Sequence, residues 1–262
     1  MEREKNVLVT GATGAIGSAV CEALAAQGCR VFLLGRNQRK TAELTSRIIE
    51  QTDNRRVSYV IADISSWASI YQLASEWDMP LHILINNAAV TPRKRKETPE
   101  GIELQFATNV LGYFWMMDLF TPHLEQAAQP RIVNVASYWA GGLDLGDLEF
   151  KKRPYHNDAA YRQSKQADRM LSKAFADQLG PKGITVNSCH PGDVSSTLSR
   201  NLGFGGHETP AQAADTPVWL ATSPEVGETS GKYFERRAQV VCPFSKDQAQ
   251  VEALYRICRD YA

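Results

Sequence analysis

The sequence predicts a single-domain, doubly wound α/β fold in which helices cover both faces of a parallel sheet. Short apolar runs, often β-branched, recur along the chain at residues 6–10, 30–34, 57–62, 82–86, 131–136 and 184–188. Stretches with helical periodicity separate these runs, which is the pattern of repeated βαβ units. The runs are apolar on both faces, as are strands buried between two helical layers. One hydrophobic core can serve all of residues 1–262.

Glycines and prolines divide the chain between these strands. The first predicted helix, residues 15–27, begins after a glycine-rich turn, and the longest, residues 160–179, ends at a Gly-Pro pair. Two segments, at about 141–158 and 198–210, look irregular and follow predicted strands. We expect them to overhang the carboxyl edge of the sheet as substrate loops, with mobile surface as the alternative.

Composition excludes several classes of function. The chain has 29 basic and 29 acidic residues, so no net field favours nucleic acid or an anionic membrane. Its five cysteines are scattered without C-x-x-C or metal-ligand spacing, so we expect reduced thiols and no metal site. The apolar runs, including the one near the N-terminus, are far shorter than a signal-peptide core or the roughly 20 residues of a membrane span. These features predict a cytoplasmic protein with no integral membrane span.

A glycine-rich turn between the first strand and the first helix predicts a dinucleotide-binding site. Small residues there let the backbone approach a pyrophosphate, and the start of the helix offers N–H groups to it. An accidental glycine-rich turn is the alternative. The predicted contacts are Gly11, Thr13, Gly14, Ala15, Ile16 and Gly17.

The end of the second strand indicates which dinucleotide is bound. No acid stands there to accept hydrogen bonds from a ribose 2′-hydroxyl, and Arg36 and Asn37 follow instead. A guanidinium can hold a 2′-phosphate, so we expect NADP(H), with a solvated basic helix start as the alternative. Asp63, beside Ile64 after the third strand, fits a contact to the adenine amino group. An N-cap of the next helix is the other use of this Asp.

Four residues form a candidate catalytic set. Tyr161 and Lys165 are four apart in a helix, so they share a face, and an ammonium near a phenol lowers its pKa. Ser137 closes a predicted strand and can hydrogen-bond a substrate oxygen. Asn109 lies in a helical stretch and can hold a water that links Lys165 to solvent. The alternatives are an ordinary surface pair, a turn serine and a helix-interior amide.

Together these residues resemble the short-chain dehydrogenase/reductase superfamily over nearly the whole chain. The resemblance implies a Rossmann fold with a seven-stranded parallel sheet. It also implies Tyr161 as general acid/base, Lys165 tuning its pKa and holding the nicotinamide ribose, Ser137 orienting substrate and Asn109 supporting a proton relay, so that Tyr161 and Lys165 contact the cofactor too. Further cofactor contacts implied by the resemblance are Asn87, Ala88, Ala89, Pro191, Gly192, Val194 and Ser196.

Within the superfamily the chain is most similar to the retinol dehydrogenase group. The long gap from Ser137 to Tyr161 holds an acidic insert like that group's, and residues 231–234 resemble its late strand. Two positions depart from the pattern. Ala15 gives the turn the glycine spacing of the longer sugar-nucleotide epimerases, and Ala89 stands where the family usually has glycine.

The resemblance implies interconversion of a carbonyl and an alcohol on a bulky, apolar small molecule. Plain packing is the alternative reading of the candidate pocket residues. An NADP(H)-sensing regulatory protein without turnover and a nucleotide-sugar epimerase or dehydratase are the competing functions. The candidate pocket residues are Tyr138, Trp139, Leu143, Leu198, Leu202 and Phe204.

Family members commonly form homodimers or homotetramers, which we expect here through helices at 99–126 and 160–179. Four apolar residues of the second helix can form that subunit interface or pack on the sheet. They are Met170, Leu171, Phe175 and Leu179.

Overall fold

A computed structural model describes residues 5–262 and shows one eight-stranded sheet in the order β3-β2-β1-β4-β5-β6-β7-β8. All neighbouring strands pair in parallel except β7 and β8. The strands are β1 Asn6–Thr10, β2 Arg30–Gly35, β3 Val57–Ile61, β4 Ile83–Asn86, β5 Arg131–Val135, β6 Thr185–His190, β7 Tyr233–Glu235 and β8 Ala238–Val240. The predicted doubly wound parallel sheet is confirmed, with β8 as an eighth, antiparallel edge strand.

A two-residue hairpin explains the additional strand. Arg236 and Arg237 connect β7 to β8, and both have positive φ, at 47° and 61°. Two consecutive residues in the left-handed region give the turn that matches the twist of paired antiparallel strands. An Arg-Arg pair is not the Asn-Gly type of signal that normally predicts such a turn, so the sequence gives no sign of β8.

Within residues 5–262, eight α-helices connect or follow the strands. A π-helical turn, Phe106–Leu111, leads directly into the fourth. The predicted helices at 15–27 and 160–179 are present, with one end of each shifted by one and three residues respectively. The helix predicted at 99–126 begins later than expected, because the π-helical turn starts at Phe106, and it ends at Leu124. The helices are α1 Ala15–Ala26, α2 Gln38–Thr52, α3 Trp67–Ser75, α4 Gly112–Leu124, α5 Asn157–Leu179, α6 Thr197–Asn201, α7 Pro210–Thr222 and α8 Gln248–Arg259.

The core consists of two apolar layers, one on each face of the sheet. Val7 and Val9 of β1 point to a layer closed by α1, α2 and α7, while Leu8 points to one closed by α3, α4, α5 and α8. Alternate residues of one strand face opposite sides, so a strand with helices on both sides must be apolar throughout. This is why the buried strands read as continuous apolar runs.

The strand order reverses between β1 and β4, which are neighbours in the sheet. From β1 the chain proceeds outward through β2 and β3, and from β4 it proceeds in the other direction. The connections leaving β1 and β4 therefore part, and a crevice opens beyond their carboxyl ends. Both cavities of the candidate site lie at this edge.

The C-terminal helix α8 packs against α5. The Tyr255 ring lies 5.1 Å from that of Phe114 and 5.3 Å from that of Phe175, measured between centroids. Met170, Leu171, Phe175 and Leu179 are all buried in the core. They pack within the fold, and the expected homodimer or homotetramer stays a prediction.

The two irregular segments differ from each other. Segment 141–158 folds onto the body of the protein, where Leu148 and Phe150 are buried and the Arg153 guanidinium lies 4.2 Å from the Phe150 ring centroid. Segment 198–210 contains most of α6, so it is partly helical, and a bridge between Val194 and Glu208 closes its base.

No helix within residues 5–262 is long and apolar enough to cross a membrane. Part of the expectation that the chain has no secretion signal falls on residues 1–4, which lie outside the described residues. The thiols of Cys21, Cys189, Cys242 and Cys258 are free.

Candidate active site

A groove of about 500 Å³ lies at the crevice beyond β1 and β4. It brings together most of the residues predicted to bind a dinucleotide. Those that line it are Gly11, Thr13, Gly14, Ala15, Ile16, Gly17, Arg36, Ile64, Asn87, Ala88, Ala89 and Ser196.

Two positions of the turn require glycine, because the loop after β4 and the turn's own backbone lie too close to leave room for a side chain. Gly11 has φ 63°, and a Cβ there would lie 2.6 Å from Cα of Ala88. A Cβ at Gly17 would lie 2.7 Å from Nδ2 of Asn87 and would also overlap the carbonyl oxygen of Gly11. Real Cβ atoms do not approach so closely, so larger residues would force the crevice apart.

The start of α1 is open toward a ligand. Gly14 is its N-cap and contributes no side-chain hydrogen bond. The first-turn N–H groups of a helix have no intrahelical partner and carry a partial positive charge. A pyrophosphate supplies both acceptors and the complementary charge, so the small, uncapped turn fits a dinucleotide.

Asn87 ties the two sides of the crevice together. Its side-chain Nδ2 donates to the carbonyl oxygen of Thr10 at 3.0 Å, and its backbone N–H donates to Oγ1 of Thr10 at 2.9 Å. The Ala88 N–H also donates to Oγ1 of Thr10, at 3.1 Å. These bonds fix the loop after β4 beside the glycine turn.

Asn37 and Asp63 are not among the groove-lining residues. Oδ1 of Asn37 accepts from the Lys40 backbone N–H at 3.0 Å and caps α2. Oδ1 of Asp63 accepts from the backbone N–H and the hydroxyl of Ser65, at 3.0 and 2.7 Å. For both residues the structure shows a local capping or turn role.

A smaller cavity of about 80 Å³ adjoins the groove. Ser137, Tyr161 and Lys165 line it together. Both cavities share wall residues, so the catalytic candidates face the continuation of the dinucleotide groove. The remaining predicted residues in its wall are Ile16, Asn87, Ala89, Pro191, Gly192, Val194, Ser196, Leu198 and Phe204.

Tyr161 is buried near the start of α5. Burial raises the pKa of its phenol, a hydrogen bond with the Ser137 side chain lowers it, and the charges of Asp168 and Asp193 raise it, with a net upward shift. The expected lowering by Lys165 is not among these influences on Tyr161. The phenol is protonated at neutral pH and can act as an acid.

Lys165 lies in the interior, with its ammonium held by two acceptors. Nζ donates to the Val135 carbonyl oxygen at 3.0 Å and to Oδ2 of Asp168 at 2.8 Å. Burial lowers the pKa of Lys165, but the Asp168 carboxylate and the Tyr113 phenol raise it, and the net shift is upward. Lys165 therefore carries its charge.

Asn109 lies in the π-helical turn, a distortion that often marks functional sites. Its Oδ1 accepts from the Val90 N–H at 2.8 Å, and its Nδ2 donates to the Val90 carbonyl oxygen at 3.1 Å. Nδ2 also lies 3.3 Å from Oγ of Ser164, the neighbour of Lys165 in α5. Asn109 thus joins the loop after β4 to the catalytic helix.

Of the predicted substrate residues, Leu198 and Phe204 line the cavity. Trp139 lies beside it, with its ring 5.6 Å from that of Phe204 and 6.1 Å from that of Tyr161. Tyr138 is half exposed and donates to Oδ2 of Asp193 at 3.2 Å.

Leu143 and Leu202 line neither cavity. Leu143 packs against the core, and its backbone N–H donates to Oε1 of Gln166 in α5 at 3.1 Å. The acidic insert that contains Leu143 lies against α5 instead of over the pocket. The sequence pattern alone does not indicate which way this insert folds.

Several residues in and around the site were missed by the sequence reasoning. His190 lines the catalytic cavity and directly precedes Pro191, which could have drawn attention to it. Arg200 lines the groove from α6. Asp168 lies three residues after Lys165, a spacing that predicts contact on a helix. Arg169, beneath the cavity, donates to the Ser137 carbonyl oxygen.

A dinucleotide cradle that runs into a buried Ser-Tyr-Lys pocket defines a nicotinamide-dependent oxidoreductase, and comparison with known proteins agrees. The family model for short chain dehydrogenases matches residues 5–203. Retinol dehydrogenase 13 of Homo sapiens is 33% identical over 272 residues, which covers 96% of this chain and 82% of that protein. The chain belongs to the short chain dehydrogenase family and is similar to its retinol dehydrogenases.

Solved structures share the fold. A protein from Mycobacterium paratuberculosis matches with a TM-score of 0.83 and 24% identity, over 98% of this chain and 92% of that one. A short chain dehydrogenase from Escherichia coli CFT073, complexed with NADPH, matches with a TM-score of 0.72 and 24% identity, over 89% and 97%. The family membership makes this chain an NAD(P)-binding oxidoreductase that acts on small molecules.

Proposed function

We propose that this protein is an NADP(H)-dependent oxidoreductase that interconverts a carbonyl and an alcohol on a bulky, apolar small molecule. The observation that carries the proposal is that Ser137, Tyr161 and Lys165 line one cavity that continues the dinucleotide groove. The oxygen of a carbonyl bound in this cavity could accept hydrogen bonds from the Ser137 hydroxyl and the Tyr161 phenol. The carbonyl would then lie beside the nicotinamide end of the dinucleotide.

The chain's own residues handle the substrate oxygen and its proton. The nicotinamide supplies or accepts the hydride. Ser137 and Tyr161 donate hydrogen bonds to the carbonyl oxygen, and Tyr161 transfers its proton to that oxygen as the alcohol forms. Lys165 stabilises the phenolate that remains, and Asn109 and Ser164 connect this region toward the loop after β4. In alcohol oxidation Tyr161 takes the proton back.

The preference for NADP(H) is supported by the charges along the groove. Among the described residues, those lining it include two arginines, Arg36 and Arg200, and no carboxylate. A guanidinium binds phosphate through two parallel hydrogen bonds, so the lining suits a 2′-phosphate better than a 2′-hydroxyl. The neighbour from Escherichia coli was solved with NADPH.

The proposal of a bulky apolar substrate is supported by apolar side chains in and beside the cavity. Trp139 and Phe204 stand edge to face at 5.6 Å, next to Tyr161, and Leu198 lines both cavities. Flat or branched hydrocarbon packs well on such surfaces. Retinol, named in the similar dehydrogenases, is a molecule of this kind.

We also propose a cytoplasmic location and no nucleic-acid partner, on the balanced charge and the free thiols of Cys21, Cys189, Cys242 and Cys258. A homodimer or homotetramer is proposed on the resemblance alone.

The test of this function is NADPH oxidation, followed by absorbance, with a panel of retinal, medium-chain aldehydes, steroid ketones and quinones. The proposal predicts alcohol formation in a one-to-one ratio with NADPH consumed, fastest with the apolar substrates and slower with NADH. Tight NADPH binding with no turnover would favour a sensor. Isomerisation of a nucleotide sugar with no net change in cofactor would favour an epimerase.

A further inference from the structure

A buried carboxylate stands directly beside the catalytic lysine. Asp168 follows Lys165 by three residues on α5, and its Oδ2 lies 2.8 Å from Nζ of Lys165. The Asp168 side chain is 0% exposed and the Lys165 side chain is 2% exposed, so water does not screen the pair. Charges in such a setting act far more strongly on each other than surface pairs do.

The charge of Asp168 depends on Lys165. Oδ1 of Asp168 is buried with no hydrogen-bond partner among the described residues. Burial raises the pKa of Asp168 to about 6, with Lys165 acting in the opposite direction. At neutral pH the carboxylate is therefore largely ionised, and the lysine is the cation that offsets it.

The elements packed around this pair contribute few other ionisable groups. Tyr113 comes from α4, Cys189 from β6 and Cys258 from α8, and burial raises the pKa of all three, so they stay neutral. Tyr161 is a further neighbour, on α5 itself, and the charge of Asp193 acts on it as well. The buried ion pair is the part of the charge around this phenol that a substitution at position 168 changes.

We propose that Asp168 is a positioning residue that holds the Lys165 ammonium in a buried ion pair, cancels its charge at Tyr161, keeps that phenol protonated and so favours carbonyl reduction. This inference rests on the proposed function. Lysine is expected in this family to stabilise the phenolate, and here a carboxylate of opposite sign weakens that effect. The direction of the effect on Tyr161 agrees with this role, because the charges of Asp168 and Asp193 raise the pKa of its phenol.

The proton balance gives the effect its direction. In reduction, a hydride with its two electrons bonds to the carbonyl carbon, the C=O π bond breaks and the Tyr161 O–H proton moves to the oxygen. The phenolate then regains a proton from solvent. Reduction needs the protonated phenol and oxidation needs the phenolate, so a high phenol pKa favours reduction at neutral pH and confines oxidation to alkaline pH.

The experiment compares Asp168→Asn with the wild-type enzyme. Asn keeps the size and one acceptor for Lys165 but removes the negative charge. With the ammonium no longer cancelled, we expect the rise of the alcohol-oxidation rate with pH to occur at a pH lower by about one unit or more. Asp168→Glu keeps the charge and should restore the wild-type profile.

A second readout does not use turnover. The ionisation of Tyr161 is measured as the tyrosinate difference absorbance between each protein and its Tyr161→Phe counterpart. Asp168→Asn should lower the pH of this transition as well. Asp177→Asn is the matched control, because Asp177 forms an exposed pair with Lys173 on the same helix and should leave both profiles unchanged.

If the oxidation rate of the Asp168→Asn protein rises at the wild-type pH and its tyrosinate transition is also unchanged, the proposal is overturned, whatever the stability of the variant. If that variant does not fold, Asp168→Ser provides the same neutral comparison. If the wild-type enzyme reduces no carbonyl, the proposed function fails, yet the tyrosinate transitions still decide whether Asp168 acts on Tyr161.

Discussion

Gly17 and Asn87 meet so closely across the crevice that a methyl group at position 17 would lie 2.7 Å from Nδ2 of Asn87. The same Nδ2 donates to the carbonyl oxygen of Thr10. The glycine turn and the loop after β4 are therefore one unit. The shape of the dinucleotide groove depends on both.

Gly17→Ala should damage this unit. Overpacking of a filled interior costs about 1–3 kcal/mol, and here the strain falls on the walls of the groove. We expect lower stability in urea unfolding and NADPH affinity reduced about tenfold or more, since 1.4 kcal/mol equals one decade. Gly180→Ala is the control, because nothing lies within 4 Å of a Cβ there and both properties should be retained. Full NADPH affinity in Gly17→Ala would contradict the role assigned to the turn.

Arg36→Ala should remove the preference for NADPH. A hydrogen bond to a charged group is worth about 1.5–3 kcal/mol, so KM for NADPH should rise roughly 10- to 100-fold while KM for NADH changes little. The measurement is steady-state kinetics with each cofactor. Arg39→Ala serves as a matched control, because Arg39 is exposed and lies 3.9 Å from Glu43 on α2. An equal rise in KM for both cofactors would show that Arg36 does not recognise the 2′-phosphate.

Trp139→Ala tests whether the aromatic ring beside the cavity contacts a bulky substrate. Loss of the ring should raise KM for bulky apolar carbonyls about tenfold and spare small aldehydes, since burial of an aromatic side chain contributes a few kcal/mol. Leu143→Ala is the contrasting variant. Leu143 packs on the core away from the cavity, so its truncation should reduce stability without changing the KM ratio between large and small substrates. The reverse pattern would place the substrate against the acidic insert.

Much of the fold could be predicted from the sequence because local rules and long-range packing agree there. The strands carrying Val7 and Ile83 are apolar on both faces, as a parallel sheet between two helical layers requires. The turn at Gly11 was likewise predictable, because only a small residue tolerates its positive φ and its contact with Ala88. In these places each residue's own preference matches its environment.

The rest depends on contacts between distant residues. The acidic insert is held in place partly because Glu149 accepts from the Glu103 N–H at 3.1 Å and from the Tyr261 hydroxyl at 2.8 Å. Glu103 is 46 positions and Tyr261 is 112 positions away from Glu149 in the sequence, so spacing alone cannot identify them as its partners. Leu143 was placed in the substrate pocket for this reason.

Lys165 shows a different limit. The i, i+4 spacing correctly puts Tyr161 and Lys165 on one helix, but a long flexible side chain can reach several partners. Asp168 follows Lys165 by three residues, on the side away from Tyr161, and its Oδ2 pairs with the Lys165 ammonium at 2.8 Å. The pattern predicts the catalytic groups, whereas their protonation depends on burial and on this third residue.

The proposed transfer of a proton by Tyr161 in a carbonyl–alcohol reaction is tested by the Tyr161→Phe variant. With the best carbonyl of the panel and saturating NADPH, we expect kcat to fall by about 100-fold or more, with unchanged NADPH affinity. Tyr71→Phe, at an exposed tyrosine of α3, should keep the wild-type rate. A Tyr161→Phe enzyme that turns over at the wild-type rate would contradict the account.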